Sequence, residues 1–141
     1  MAPPLELRET ALACLLQTDP LTKTEAVAAM ARAWFEGALT LDEGGEPLAA
    51  GAIPGRPARP ELVAPRLVGR RSMVTVEGRA MLIHALAHIE FNAVNLALDA
   101  LWRFPAMPAK YYTDWLRVSK EEAHHFSLVA AHLDTLGHRY G

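Results

Sequence analysis

The 141-residue chain has the composition of an ordinary globular protein, with 51% hydrophobic and 21% charged residues and a formal net charge of −2. This composition excludes a largely disordered chain, and the small negative charge offers no broad basic surface for nucleic acid. A small basic cluster, Arg66, Arg70 and Arg71, is typical of solvated loop charges. The length predicts a single structural domain that can bury a hydrophobic core.

The N-terminal sequence, Met-Ala-Pro-Pro, lacks a basic segment followed by an apolar one. The chain also has no run of about 18 uninterrupted apolar residues, the length that a membrane span requires. These features predict a cytoplasmic protein without a membrane partner. Cys14 is the single cysteine and lies in the apolar run 11–16, so it is expected to be a buried thiol.

Residues 1–41 are predicted to form two N-terminal helices. The first runs from Leu5 to Gln17 and ends before Asp19-Pro20, because a residue that precedes proline disfavours the α region. The second runs from about Thr22 to Leu39. Its buried face is expected to comprise Val27, Met30, Ala31, Trp34 and Phe35. Both helices should cover one side of a helical bundle.

Residues 42–74 are predicted to form a long loop or linker. Five prolines fall between residues 47 and 65, a spacing at which neither a helix nor a central strand can persist. Loops longer than about 12 to 15 residues are commonly functional or mobile. A passive connector and a lid over a site both fit this composition.

A long amphipathic helix is predicted between Thr75, a suitable N-cap, and Arg103. Its apolar stripe comprises Ile83, Leu86, Ala87, Val94, Ala97, Leu98 and Leu101. Glu90 falls at the centre of this stripe. The helical projection also places a polar face well away from Glu90: His84, His88, Asn92, Asn95 and Asp99. The two histidines are therefore expected to be surface or interface groups rather than ligands beside Glu90.

A second long helix is predicted from Tyr111 to Leu136. Its apolar stripe comprises Tyr111, Trp115, Val118, Phe126, Val129, Leu133 and Leu136. Glu122 lies at the centre of this stripe and His125 on its flank. The overlapping pair Glu121 and His124 projects further from the apolar line. Glu122 and His125 are therefore the favoured pair.

Pro105 and Pro108 are expected to turn the chain between the two long helices, and Gly137 suits the left-handed cap that ends the second. If the turn centres near residue 106, Glu90 lies 16 residues before it and Glu122 lies 16 residues after it. At a rise of about 1.5 Å per residue, the two carboxylates then lie level across an antiparallel hairpin.

Two carboxylates that face one core need a partner, because an ionised carboxylate costs several kcal/mol to bury alone. A metal ion held by Glu90, Glu122 and His125 is the favoured partner, since side chains at i and i+3 project from one side of a helix. Ligation rich in oxygen with one imidazole favours iron, with manganese as the alternative. A polar network without metal stays open, with Glu122 bonded to His125, Tyr111 or Tyr112 and with Glu90 protonated or paired to an arginine.

One Glu together with one Glu-x-x-His is half of the ligand set of a dimetal centre in a helical bundle. The other half would come from a second copy of the chain about a twofold axis, or from the missing C-terminal half of a longer protein. The ligand count alone does not choose between a homodimer and a longer chain.

Several stretches of the second half resemble an uncharacterised bacterial family of the ferritin-like superfamily: His84-Ala-Leu-Ala-His-Ile-Glu90, Ala97-Leu-Asp-Ala-Leu-Trp-Arg-Phe104, Tyr112-Thr-Asp-Trp-Leu-Arg-Val118 and Glu121-Glu-Ala-His-His-Phe126. The likeness runs from about Pro60 to Gly141. It implies an all-α, ferritin-like helical bundle with Glu90, Glu122 and His125 at the metal-ligand positions. Members of the family continue into further helices with a second ligand set. The resemblance therefore implies that this chain forms a half-bundle.

These features together predict a di-iron oxidoreductase or oxygenase that acts on an unknown small-molecule substrate. Its metal would lie on the helical hairpin of residues 75–141. Oxidation and storage of iron without an organic substrate is the alternative function. A helical interaction module with a vestigial half-site is a third hypothesis.

Overall fold

The computed structural model describes residues 5–42, 47, 51–63 and 72–141 of the chain. The described part is mostly helical, which confirms the predicted all-α class. Its helices are α1 (Leu7–Leu16), α2 (Pro20–Phe35), α3 (Val76–Arg103) and α4 (Ala109–Thr135). The basic cluster at residues 66, 70 and 71 lies outside the described residues, as does much of the predicted proline-rich loop.

Two short strands that the sequence pattern does not predict flank the N-terminal helices. They are β1 (Leu5–Glu6) and β2 (Leu39–Thr40), and they pair in parallel with Leu5 opposite Leu39. Because its first two predicted residues belong to β1, helix α1 begins two residues later than predicted.

Helix α2 is displaced toward the N-terminus relative to its predicted range. The Asp19 carboxylate accepts a hydrogen bond from the Thr22 backbone N–H at 2.9 Å. Pro20 occupies the first helical position, where its missing N–H has no intrahelical partner to lose. The helix ends at Phe35 because Gly37 has a φ of +78°, a left-handed conformation that stops the helix.

Helices α3 and α4 form an antiparallel hairpin. Thr75 caps α3 as predicted, because its hydroxyl accepts a hydrogen bond from the Gly78 backbone N–H at 2.9 Å. Residues 104–108 connect the helices, and Ala106 at the centre of the connection has a φ of +57°. Gly137 adopts the predicted left-handed conformation after α4, with a φ of +79°.

All four helices contribute to the main hydrophobic core. Its large buried side chains include Leu7, Leu15, Val27, Met30, Val94, Leu98, Leu101, Tyr112 and Leu116. Cys14 is buried in this core, as predicted, and burial raises the pKa of its thiol to about 11. Trp34 packs against the core, but Phe35 is exposed, contrary to prediction. Phe35 ends α2 at the surface, where its ring lies beside the Arg117 guanidinium.

Most of the predicted stripe of α3 is buried, namely Ala87, Val94, Ala97, Leu98 and Leu101, but the buried face extends to one side of that stripe. Phe91 and Asn95 are buried, whereas Leu86, predicted to be buried, is exposed. The reason is tertiary, because the N-terminal part of the chain packs against the side of α3 that carries Phe91 and Asn95. Since α3 is apolar on several sides, its sequence does not indicate which side the other helices cover.

The buried face of α4 is rotated relative to its predicted stripe. It comprises Tyr112, Leu116, Ser119, Ala123, Phe126 and Leu133. Phe126 and Leu133 belong to the predicted stripe, whereas Val118 from that stripe is exposed. Phe126 joins Phe91 and Ala87 in a second apolar cluster that links α3 to α4.

The predicted polar face of α3 is covered by other parts of the chain. Lys23 of α2 is fully buried against it. The Nζ atom of Lys23 donates three hydrogen bonds, to Oδ1 of Asn95 (2.6 Å), the carbonyl of Gly55 (2.7 Å) and the carbonyl of Leu15 (3.2 Å). Arg56 donates to Oδ1 of Asn92 at 2.8 Å. The segment 51–63 is thus attached to α3 and is not a free linker.

Helix α3 is long and apolar enough, by length and composition, to cross a membrane. The core helix of a soluble protein passes the same test, so this is weak evidence for a span. Ten residues of α3 are buried within the described protein. The predicted absence of a membrane segment therefore stays a prediction.

Candidate metal centre

The structure brings Glu90 of α3 together with Glu122 and His125 of α4. One possible ligand atom from each residue lies within 4.8 Å of the others. Nδ1 of His125 is 3.6 Å from Oε2 of Glu122 and 3.8 Å from Oε2 of Glu90. The two carboxylates are level across the hairpin, in agreement with the residue count from the turn.

This cluster lies at the edge of the hydrophobic core and not at its centre. The side chains of Glu90 and Glu122 are 25% and 26% exposed, and that of His125 is 51% exposed. The position follows from the shift of the buried faces of α3 and α4, which brings other residues into the core. One side of the cluster is therefore open.

The two carboxyl groups interact directly. The protonated Glu90 carboxyl group donates a hydrogen bond to the Glu122 carboxylate, which raises the pKa of Glu90 to about 7. Partial burial and the negative charge of Glu122 act in the same direction, whereas His125 lowers this pKa. The proton on Glu90 removes one of the two negative charges of this carboxylate pair. A divalent cation bound between Glu90 and Glu122 would replace that proton and balance both charges.

The metal-free protein is expected to lose stability as the pH rises from about 4.5 to about 7. Within this range the folded chain retains a proton on Glu90 that the unfolded chain has released, so the free energy of unfolding falls with rising pH. Urea unfolding between pH 4.5 and 8, with a chelator present, measures this slope. The Glu90→Gln variant is the control and should have a flatter profile, and identical slopes would contradict the assignment.

The donor set fits a small divalent ion. Carboxylate oxygens and imidazole nitrogens bind such ions at about 2.0 to 2.2 Å, which places neighbouring ligand atoms about 3 to 4 Å apart. The distances of 3.6 and 3.8 Å from His125 lie in this range. Oxygen and imidazole donors suit iron and manganese, and three protein ligands leave further coordination positions open.

The overlapping pair Glu121 and His124 is placed elsewhere. Both side chains are exposed and line a surface groove that His125 also lines. Neither belongs to the group of ligand atoms around Glu90. The positions of the ligand atoms therefore favour Glu122 and His125 over this pair, as the helical projection predicts.

The predicted alternative in which a tyrosine holds Glu122 does not match the structure. The Tyr111 hydroxyl donates to the Ala100 carbonyl at 2.9 Å. The Tyr112 hydroxyl donates to the Phe104 carbonyl at 2.6 Å. Both hydroxyl groups thus tie the start of α4 to the end of α3 and are directed away from Glu122.

His84 and His88 lie apart from the metal cluster, as predicted, but they are half-buried. Both rings stack on Tyr140, with ring centroids 5.1 and 6.1 Å away. Nδ1 of His88 lies 2.8 Å from the Tyr140 hydroxyl. Burial lowers the pKa of His88 and raises that of Tyr140 to about 12, so the neutral forms are favoured.

The buried contact between Lys23 and Asn95 is absent from the sequence predictions. A pattern that could have revealed it was available, because Lys23 shares a helical face with Val27 and Met30 at i, i+4 and i+7. A lysine in the middle of an apolar face indicates a buried acceptor on a neighbouring element.

Comparison with known proteins places these residues in a family. A family model described as "Protein of unknown function (DUF455)" matches residues 16–141. An uncharacterized protein of Haemophilus influenzae is 53% identical over 92 residues, which are 60% of this chain and 32% of that protein. The chain thus spans about a third of the length of this relative. No solved structure matches the chain. Because the matched range includes all but the first 15 residues, the chain belongs to the DUF455 family.

Proposed function

We propose that this chain provides half of a dimetal carboxylate centre of the ferritin-like type, with iron as the metal and manganese as the alternative. The observation that carries the proposal is the convergence of Glu90, Glu122 and His125 from two adjacent antiparallel helices. A Glu on one helix and a Glu-x-x-His on its neighbour form the ligand pattern of such bundles. The reaction class that this centre supports best is that of an oxidoreductase.

The protein itself contributes the position and the charge of the ligands. Glu122 and His125 are three residues apart and share one side of α4, while Glu90 approaches from α3. Phe91 packs on Phe126 with ring centroids 5.9 Å apart, which holds the two helices together beside the cluster. Bound iron with open coordination positions would supply the activation of O2 or peroxide.

A second candidate function is oxidation and handling of iron without an organic substrate. A groove of about 300 Å³ lies next to His125. It is lined by Phe35, Arg117, Lys120, Glu121, His124 and His125. An oxygenase for an apolar substrate needs a largely apolar pocket beside its metals, whereas three of these six side chains are formally charged.

Metal analysis of the purified chain tests the proposal. Metal-free protein is incubated with ferrous ion without oxygen, desalted, and analysed for iron, with manganese in a parallel sample. We expect about one ion to be retained per chain, since each chain supplies half of a dimetal ligand set. Retention of neither metal would refute the proposal and leave the interaction module with a vestigial site.

Oxygen consumption then separates the two candidate functions. The iron-loaded protein is mixed with O2 in an oxygen electrode, with and without added ferrous ion. Repeated consumption that depends on ferrous ion alone would identify iron handling. A single turnover that continues only when an organic compound and a reductant such as ascorbate are both added would identify an oxygenase, because O2 takes two electrons from the substrate and two from the reductant.

A further inference from the structure

Helix α3 carries a second apolar line that the rest of the described chain leaves open. Leu82, Leu86, Ile89 and Leu96 are 41%, 41%, 60% and 66% exposed. Ala93, which is half-buried, completes the line. We call these five residues the α3 ridge. Their spacing alternates between four and three residues, which is the spacing of a seam between packed helices.

The α3 ridge has no charged residue. Glu90 is the one formally charged residue between Ala80 and Leu98, and it lies beside the ridge. A single exposed leucine is ordinary on a protein surface, but a continuous apolar line on one helix indicates a contact. A helix that is apolar on several sides is usually covered on all of them.

The ridge lies next to the metal cluster. At about 100° per residue, Glu90 projects between the buried side of α3, which carries Val94 and Leu98, and the ridge side, which carries Ile89. A helix packed on the ridge would therefore lie beside Glu90 and cover the open side of the cluster. The proposed dimetal set is also incomplete without a second Glu and a second Glu-x-x-His.

The ridge is self-complementary about Ile89. Leu82 lies seven residues before Ile89, and Leu96 lies seven residues after it. Leu86 lies three residues before it and Ala93 four residues after it, so a large side chain would face a small one. A twofold contact requires this arrangement, because each residue that contacts a position on the partner is itself contacted by that position.

We propose that a second copy of this chain docks on the α3 ridge, with the two α3 helices antiparallel and crossing at Ile89. Glu90 is adjacent to that crossing point, so the two copies of Glu90, Glu122 and His125 come together at the twofold axis. The ridge contact depends on exposure and spacing, whereas the completion of the metal site rests on the proposed function.

Molar mass in solution tests the contact, measured by light scattering on the full chain over a range of concentrations. Wild-type protein is expected to be a dimer whose dissociation constant falls when ferrous ion is added. Ile89→Glu buries two like charges at the axis and should raise the dissociation constant at least about 100-fold. Leu21→Glu is the matched control, because Leu21 is 62% exposed on α2, and it should remain dimeric. A monomeric wild-type protein would overturn the proposal.

Disulfide trapping tests the position of the axis. In a Cys14→Ala background, Ile89→Cys should form a disulfide between two chains, because residue 89 faces itself and the Cα atoms come within about 7 Å. Leu21→Cys should stay reduced under the same conditions. If Leu82→Cys links to itself more readily than Ile89→Cys, the crossing point is wrong and the proposed register fails.

The outcomes separate this contact from the metal proposal. A dimer that retains no metal supports the ridge contact and refutes the proposed function. A metal-loaded monomer supports the proposed function and refutes the ridge contact. Sedimentation of the chain with phosphatidylcholine vesicles, together with loss of the dimer, would identify the ridge as a lipid contact and overturn the second-copy proposal.

Discussion

Replacement of Glu122 by alanine is expected to abolish stable metal binding. The change removes one of three ligand groups whose atoms lie within 4.8 Å of one another. Loss of a group that only supports a metal ligand lowers metal affinity by about 10- to 100-fold, so loss of the ligand itself should exceed about 100-fold. Iron and manganese retained after desalting, and the dissociation constant from calorimetric titration, measure the effect.

Glu121→Ala is the matched control for this variant. Glu121 is the same residue type on the same helix, but its side chain is exposed and does not belong to the group of ligand atoms around Glu90. Metal content should stay within about twofold of the wild-type value because surface substitutions outside a site have small effects. Equal losses of metal from Glu121→Ala and Glu122→Ala would contradict the assignment of the ion to Glu122 and His125. The His124→Ala variant would then lose metal as well.

The Glu122→Ala variant should also be more stable than the wild type when both are metal-free at pH 8. Without Glu122, Glu90 loses the hydrogen bond and the like charge that raise its pKa to about 7. Ionisation of Glu90 at pH 8 then lowers the free energy of unfolding by less than it does in the wild type. The denaturant midpoint with a chelator present measures this gain. A cluster that weakens the empty fold is consistent with a functional role and not a structural one.

Replacement of Lys23 by methionine is expected to lower the free energy of unfolding by about 2 to 4 kcal/mol. The Lys23 ammonium is fully buried and donates to Asn95 and Gly55 at 2.6 and 2.7 Å. It also lies 5.0 Å from the centre of the Phe91 ring. Methionine fills similar space but leaves buried oxygens without a donor. Urea unfolding at pH 7 measures the loss.

Lys110→Met is the control for the general effect of removing a lysine. The Lys110 side chain is 84% exposed, so its replacement should change stability by less than about 0.5 kcal/mol. The double variant Lys23→Met/Asn95→Leu should recover part of the loss of stability. It removes the Asn95 side-chain oxygen together with the Lys23 ammonium group that donates to it, so this oxygen is not left buried without a donor. A Lys23→Met protein as stable as the wild type would show that these hydrogen bonds contribute no net stability.

Burial at Lys23 also has an electrostatic effect. Desolvation, followed by the charge of Arg56, lowers the pKa of Lys23 to about 8, while Cys14 acts in the opposite direction. The three oxygen acceptors around Nζ favour the charged form, so Lys23 is an ammonium ion at neutral pH. Through its three hydrogen bonds, the Lys23 ammonium group connects α2 to α1, to the segment 51–63 and to α3.

The helical class, the turn and the level of the two carboxylates were determined by the sequence itself. The capping hydroxyl of Thr75, the prolines around Ala106 and the left-handed Gly137 act on their immediate neighbours. Local signals of this kind can be read without knowing the rest of the fold. The approach of Glu90 to Glu122 follows from them, because a constant helical rise converts a residue count into a height.

Only the tertiary structure decided which sides of α3 and α4 are buried. Helix α3 is apolar on several sides, so its own sequence allows more than one orientation. Lys23 of α2 and the segment 51–63 select the side of Phe91 and Asn95 through contacts between residues far apart in the chain. That choice places the metal cluster at the edge of the core and leaves the α3 ridge exposed, because burying one side of a helix exposes another.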